Sequence, residues 1–244
     1  MKNFFFTLIF LVTALHAQSG NAGKLVDEAK ALLDNSKYKE AEKLIIQALN
    51  VSEKENDNFN LVRSVKLLGT LYYNYRELEA SASFYKLAIS LMEKYYPAPG
   101  SKETEDELFN LKNNLAIALM ETDRRSSYAG KISEAEELFM EVFEHYKQKG
   151  DRAGLASVLL NLAILYRLDA VADPDNSSYG DNLREALNAL RSAKENASTL
   201  NDPNLTASID FNLGVTSQSL GMLDSDVFYI RKCIEGYTTT GNDY

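Results

Sequence analysis

One helical pattern, a large apolar residue followed by small ones at steps of three and four, recurs five times along this 244-residue chain. In residues 36–49 it is carried by Tyr38, Ala41, Ile45, Ala48 and Leu49. About forty positions later Leu78, Ser81, Tyr85, Ala88 and Ile89 repeat it. It returns as Ile132, Ala135, Phe139 and Val142, then as Leu183, Ala186, Leu190 and Ala193, and last as Leu223, Asp226, Ile230 and Cys233. A second helical signature stands before each run: Leu25, Ala29 and Leu32; Val65, Leu68, Gly69 and Tyr72; Leu115, Ala116 and Leu119; Leu162, Ala163 and Tyr166; Leu213, Gly214 and Ser217. Apolar residues at a period near 3.6 make an amphipathic helix, so each unit reads as two antiparallel helices. The small residues mark where paired backbones approach closely. One such pair cannot bury both of its faces, so neighbours must stack into a solenoid.

The pattern resembles the tetratricopeptide repeat (TPR) family, helix–turn–helix units of about 34 residues, here lengthened to about 40. Asn113-Asn114-Leu115-Ala116 and Asn161-Leu162-Ala163-Ile164-Leu165-Tyr166 are similar to the long, kinesin-light-chain-like subtype. Lys149-Gly150-Asp151 and Gly241-Asn242-Asp243 resemble repeats in secreted, periplasmic and signalling proteins of bacteria. The resemblance spans roughly residues 22–240 and implies an all-α, right-handed TPR superhelix of about five units. The units fall near 22–55, 58–96, 102–149, 151–200 and 203–240. The third and fourth depart from the pattern by insertions within 121–133 and 169–182, both rich in Asp, Asn, Ser and Gly. In the fifth, Asp226 fills a slot where the family prefers a small apolar residue. Pro97, Pro99 and Pro203 stand between units, where a residue without a backbone N–H ends one helix or opens the next.

Residues 1–17 read as a secretory signal peptide: Lys2, an uncharged apolar run from Phe4 to Ala14, then Leu15-His16-Ala17 as the cleavage site. That run is shorter than the roughly 20 apolar residues that span a bilayer. No second apolar stretch approaches membrane-spanning length, so residues 18–244 are expected to be exported to a periplasmic or secreted location without stable membrane insertion.

Charge and cysteine usage narrow the chemistry. With 26 Lys and Arg against 35 Asp and Glu, the net charge of −9 offers no basic field for nucleic acid. A single cysteine excludes an internal disulfide framework, and two histidines leave little for metal or acid–base work. There is no glycine-rich phosphate loop, nucleophile elbow or paired-histidine helix. His145, near the end of a second helix, reads as a cation facing the helix dipole. Cys233 reads as a buried, inert core residue. Asp173, Asp175, Asn176 and Asp181 lack calcium-loop spacing. No enzyme and no cofactor are expected.

The resemblance implies that first helices line the concave face of the superhelix. A partner-binding groove is then expected from Arg63, Lys66, Thr70 and Asn74, from Asn110, Asn114 and Ile117, from Asn161, Ile164 and Arg167, and from Asn212. Tyr73, Asn113, Glu121, Ser157, Leu168, Ser208, Val215 and Ser219 flank them. Asn114, Asn161 and Asn212 hold equivalent places. An amide both donates and accepts, so such a row either clamps the backbone of an extended peptide or bonds a neighbouring helix and sets the repeat spacing. Lys66, Arg63 and Arg167 are too dispersed for the carboxylate clamp of chaperone-binding members. The expected function is a protein- or peptide-binding scaffold. A sensor or regulatory module of a bacterial signalling system is an alternative. So is small-molecule or glycan binding, for which Tyr72, Tyr73, Tyr75 and Tyr166 would supply aromatic surface. The final unit shows no polar capping helix in the sequence, so Val227, Ile230 and Ile234 are expected to support self-association or partner docking.

Overall fold

The computed structural model describes residues 22–97, 100–125, 130–172, 177–222 and 228–234. The leader, Asp173, Asp175, Asn176, Leu223, Asp226 and Val227 lie outside them. Among the described residues the elements are all helical: α1 (Ala22–Asp34), α2 (Tyr38–Glu55), α3 (Asn58–Asn74), α4 (Leu78–Tyr95), α5 (Lys102–Arg125), α6 (Gly130–Lys149), α7 (Arg152–Ala172), α8 (Tyr179–Ala197) and α9 (Pro203–Ser219). Residues 228–234 are helical as well. The chain forms two compact units, 1–71 and 72–244, and the division falls inside α3 after Leu71.

The turns reuse one device. Ser36, Arg76 and Gly221 each sit at positive φ, and the next amide reaches back across the helix end: Lys37 to Leu32 at 2.9 Å, Glu77 to Tyr72 at 3.0 Å, Met222 to Ser217 at 2.9 Å. This left-handed closure satisfies carbonyls that a helix end leaves open. Asn56 and Gly150 close α2 and α6 similarly, through Asp57 to Ser52 at 2.9 Å and Asp151 to Tyr146 at 3.0 Å. Starts are set by side chains. Asp151 Oδ1 accepts from the Ala153 and Gly154 amides at 3.0 Å. Asp202 Oδ1 accepts from the Leu205 amide at 2.9 Å ahead of Pro203 at the first turn. Carboxylate caps of this kind contribute about 1 kcal/mol each.

Packing follows the small residues. In the first unit Val26, Ala29, Leu33, Ala41, Ile45, Ala48, Val62 and Leu68 are buried, with Gly69. In the second, Ala88, Ala116, Ala135, Ala163, Ala186 and Ala193 are buried beside Leu115, Phe139, Leu162, Leu190 and Leu213. One small residue escaped the sequence reading. A Cβ on Gly154, in the first turn of α7, would collide with the Tyr146 ring of α6, so a glycine there lets the ring lie on the helix backbone.

α7 corrects one expectation. It is long and apolar enough, by length and composition, to cross a membrane. Ala156, Val158, Leu162, Ala163, Leu165 and Ala170 are buried, and Ala156 and Ala163 belong to one core with Leu187, Leu190 and Ile209. A helix gripped on several sides is apolar around most of its circumference, which makes its composition match that of a span.

Candidate functional site

Helix faces left open by packing define where a partner can touch this chain. In the first unit the half-buried residues of α3 include Arg63, Lys66 and Thr70. Arg63 is already engaged: it donates to Asp27 Oδ1 at 2.7 Å and to Asn60 Oδ1 at 3.0 Å. Thr70 donates back to the Lys66 carbonyl at 3.3 Å.

In the second unit α5, α7 and α9 open matching stripes. On α5 Asn110 is exposed, and Asn113, Asn114, Ile117 and Glu121 are half-buried. On α7 Ser157 is exposed, and Leu160, Asn161, Ile164, Arg167 and Leu168 are half-buried. On α9 the open stripe runs through Ser208, Phe211, Val215 and Ser219. Asn74, at the end of α3, is also half-buried. Each stripe follows steps of three and four, so it is a single helix face.

The asparagines of the expected row differ. Asn161 donates to Asn113 Oδ1 at 3.2 Å and so ties α7 to α5. Asn212 is buried, 8 % exposed, and donates to the Ser208 carbonyl of its own helix at 2.9 Å. Asn110 donates to the Asp106 carbonyl at 3.0 Å. The Asn114 side chain has no hydrogen-bond partner among the described residues, so its amide is available. Phe211, beside Asn212, was not singled out by the sequence. It is 47 % exposed and occupies the place in α9 that Asn113 occupies in α5. Counting one residue back from the recurring Asn slot would have found it.

Of the aromatics weighed for a glycan surface, Tyr166 and Tyr72 are engaged within the fold. Tyr166 donates to Glu136 Oε1 at 3.1 Å, and burial, then the Glu136 charge, pushes its phenol well up. Tyr72 packs on Phe84 with ring centroids 5.1 Å apart. Arg76 lies 6.0 Å from the Tyr73 ring and 4.0 Å from Glu121. Tyr75 is 40 % exposed.

A polar clasp lies between α5 and α6. Lys149 binds Asp106 and lies 3.3 Å from Glu105. His145 Nε2 is 3.4 Å from Asp106 Oδ1, and its ring stacks on Phe109 at 3.7 Å. Burial, reinforced by the Lys149 charge, holds the imidazole below its usual pKa against the pull of Asp106. His145 is therefore a neutral core residue rather than the helix-end cation that the sequence suggested. Lys147 and Lys149 supply the positive charge at that end of α6. The Lys149 hydrogen bond holds Asp106 below the usual carboxylate range.

Cys233 is buried, 4 % exposed, and burial pushes its thiol up, away from a reactive thiolate. Asp181 is paired with Arg184 at 2.7 Å. Among the described residues no group of three or more His, Cys, Asp or Glu side chains could hold a metal ion. Ile230 and Ile234 are exposed, at 37 % and 57 %.

No protein-family model matches the sequence, and no curated protein matches it. Solved structures do. The chain is similar to BtubC (BKLC) from P. vanneervenii, with 20 % identity and a TM-score of 0.58 over 95 % of this chain and 94 % of that one. It is also similar to the nearly identical TPR-like repeats of a kinesin light chain from Podosopora anserina, with 14 % identity and a TM-score of 0.63 over 94 % of this chain and all of the other. A single-substitution form of those repeats, also 14 % identical, gives a TM-score of 0.65 over the same shares of both chains.

Proposed function

We propose, from a fold that is a TPR-type helical repeat, that this chain is a non-enzymatic scaffold that recognises a segment of a partner protein. The segment lies across the open faces of the first helices of the second unit, α5, α7 and α9. The observation that carries the reading is the unpartnered Asn114 amide beside half-buried Ile117 on the open face of α5. Together they offer a backbone clamp and an apolar seat to an extended chain. The leader read from residues 1–17 supports action outside the cytoplasm.

The test is capture of a partner from an envelope extract with residues 18–244, followed by affinities for wild type and Asn114→Ala/Ile117→Ser. A loss of about tenfold or more, roughly 1.4 kcal/mol, with an unchanged melting curve is expected. Equal affinity overturns the groove. A partner that carries a kinase or a membrane segment would place the chain as the regulatory module of a signalling system. The exposed Ile230 and Ile234 support a second contact through the last helix. A monomer at all concentrations in sedimentation would remove self-association from the proposal.

A further inference from the structure

We infer that α7 and α9 build an apolar subsite, anchored by Phe211, that takes bulky uncharged side chains from the partner segment. The inference rests on the groove reading and adds the chemistry of its ligand.

Phe211 is the starting point. Its neighbours Asp210 and Asn212 are buried while its ring is 47 % exposed, so the ring stands on the one face of α9 that packing leaves open. A lone exposed aromatic means little. This one has company. Val215 continues the stripe one turn on, and both residues are flanked by Ser208 and Ser219. On α7 the matching stripe holds Leu160, Ile164 and Leu168 among Ser157, Asn161 and Arg167. The two helices pack directly, and Leu160 itself packs on the core that holds Ile209 and Leu213 of α9. Packed helices lie roughly 8–10 Å apart, close enough for one short segment to reach both stripes. Exposed apolar side chains gathered within a polar rim mark an interaction surface.

The charge pattern selects the occupant. Phe211, Val215, Leu160 and Ile164 carry no charge, and the one charged residue of the two stripes, Arg167, stands beside Leu168 at the far end of the α7 stripe. A charged side chain seated on those four residues would lose its water and gain no partner from them, which costs far more than apolar contact returns. The open face of α5, by contrast, carries Asn110, Asn113, Asn114 and Glu121. A segment crossing from α5 to α9 therefore passes from an amide-lined stretch to an apolar one. Its chemistry is a run of Leu-, Ile- or Phe-like side chains without charge over α7 and α9.

The experiment uses labelled decapeptides on a Gly/Ser background, carrying two Phe, two Leu, two Lys, two Asp or no large residue, with the full mature chain and anisotropy as readout. The Phe and Leu peptides are expected to bind at least about tenfold more tightly than the other three. Phe211→Ser should abolish that preference. Phe228→Ser, which removes an aromatic 54 % exposed elsewhere, should leave it intact. Equal binding of all five peptides, or a preference that survives Phe211→Ser, overturns the subsite. If Phe211→Ser instead abolishes a concentration-dependent dimer while the peptides do not bind, the face takes a second copy and the inference is wrong. The captured partner separates the two claims. Loss with Asn114→Ala/Ile117→Ser but not with Phe211→Ser leaves the groove standing without the apolar subsite.

Discussion

Helices α7 and α9 hold the same place in successive repeats and lie in one compact unit, yet they bury different chemistry. The residues buried on α7 are Ala156, Val158, Leu162, Ala163, Leu165 and Ala170. On α9, Asp210, Asn212, Thr216 and Ser217 go inside with Ala207, Ile209, Leu213 and Gly214. Asp210 is compensated by Lys194, whose ammonium also lies 5.0 Å from the Tyr229 ring. Thr216 Oγ1 and Ser217 Oγ are buried with no partner among the described residues. Tyr166 on α7, at the place Ser217 takes on α9, reaches Glu136 with its hydroxyl. A buried hydroxyl without a bond costs about 1–3 kcal/mol. The repeat fold thus tolerates a polar inner face, and the local penalty falls on α9.

Four experiments would break or sharpen that contrast. Leu165→Ala on α7 should have the largest effect. It empties a site only 1 % exposed and should destabilise by about 3 kcal/mol in urea unfolding; a loss below about 1 kcal/mol would mean that α7 is not the better packed helix. Thr216→Val on α9 should act in the opposite direction. It keeps the shape, removes the orphan hydroxyl and should raise stability by roughly 1 kcal/mol. A destabilised variant would show that the hydroxyl has a partner in solution. Asn161→Ala, which breaks the bond to Asn113, should cost less than about 1 kcal/mol. A larger loss would make the amide a principal fastening between α5 and α7.

The smallest signal should be a slope with pH, arising at the clasp that precedes α7. Burial lowers the folded pKa of His145 below its ordinary 6.5, so the unfolded chain takes up this proton first on acidification. The contribution to stability is complete above pH 6.5 and is lost as pH falls through the lowered folded value. Asp106, lowered from 3.8 chiefly by Lys149, acts in the same direction in a more acidic window. His145→Phe keeps a ring over Phe109, and its stability should vary less between about pH 7 and 5 than that of wild type. Parallel curves for the two proteins would remove His145 from this account.

Much of the fold was legible because small residues at fixed helical spacing leave few alternatives. Ala41, Ala48, Ala116 and Ala163 occupy the close contacts that their spacing demanded. What the sequence hid depended on the third dimension. Spacing put Asn161 and Asn212 in one row, but only packing decides that one amide reaches the neighbouring helix while the other bonds its own. Phe211 drew no reading from the sequence, because its exposure depends on Asp210 and Asn212 being the buried pair. His145 near a helix end suggested a cation, but burial, with its ring stacked on Phe109, favours the neutral imidazole. The Tyr146 ring over Gly154 joins residues from different repeats, which no periodicity within one repeat could reveal.

The apolar circumference of α7 has a consequence during biosynthesis. Its lateral partner α8 follows it in the chain, so α7 emerges from the ribosome, or from a translocation pore, before the surface that will cover it exists. In that interval a 21-residue segment fit to cross a bilayer is offered to any machinery that sorts segments by greasiness. Correct delivery then becomes a race between pairing with α8 and lateral escape into lipid. A chain that folds this way is expected to depend on a holding factor or on rapid hairpin closure, and polar substitutions on the open side of α7 should improve the yield of folded protein without altering its core.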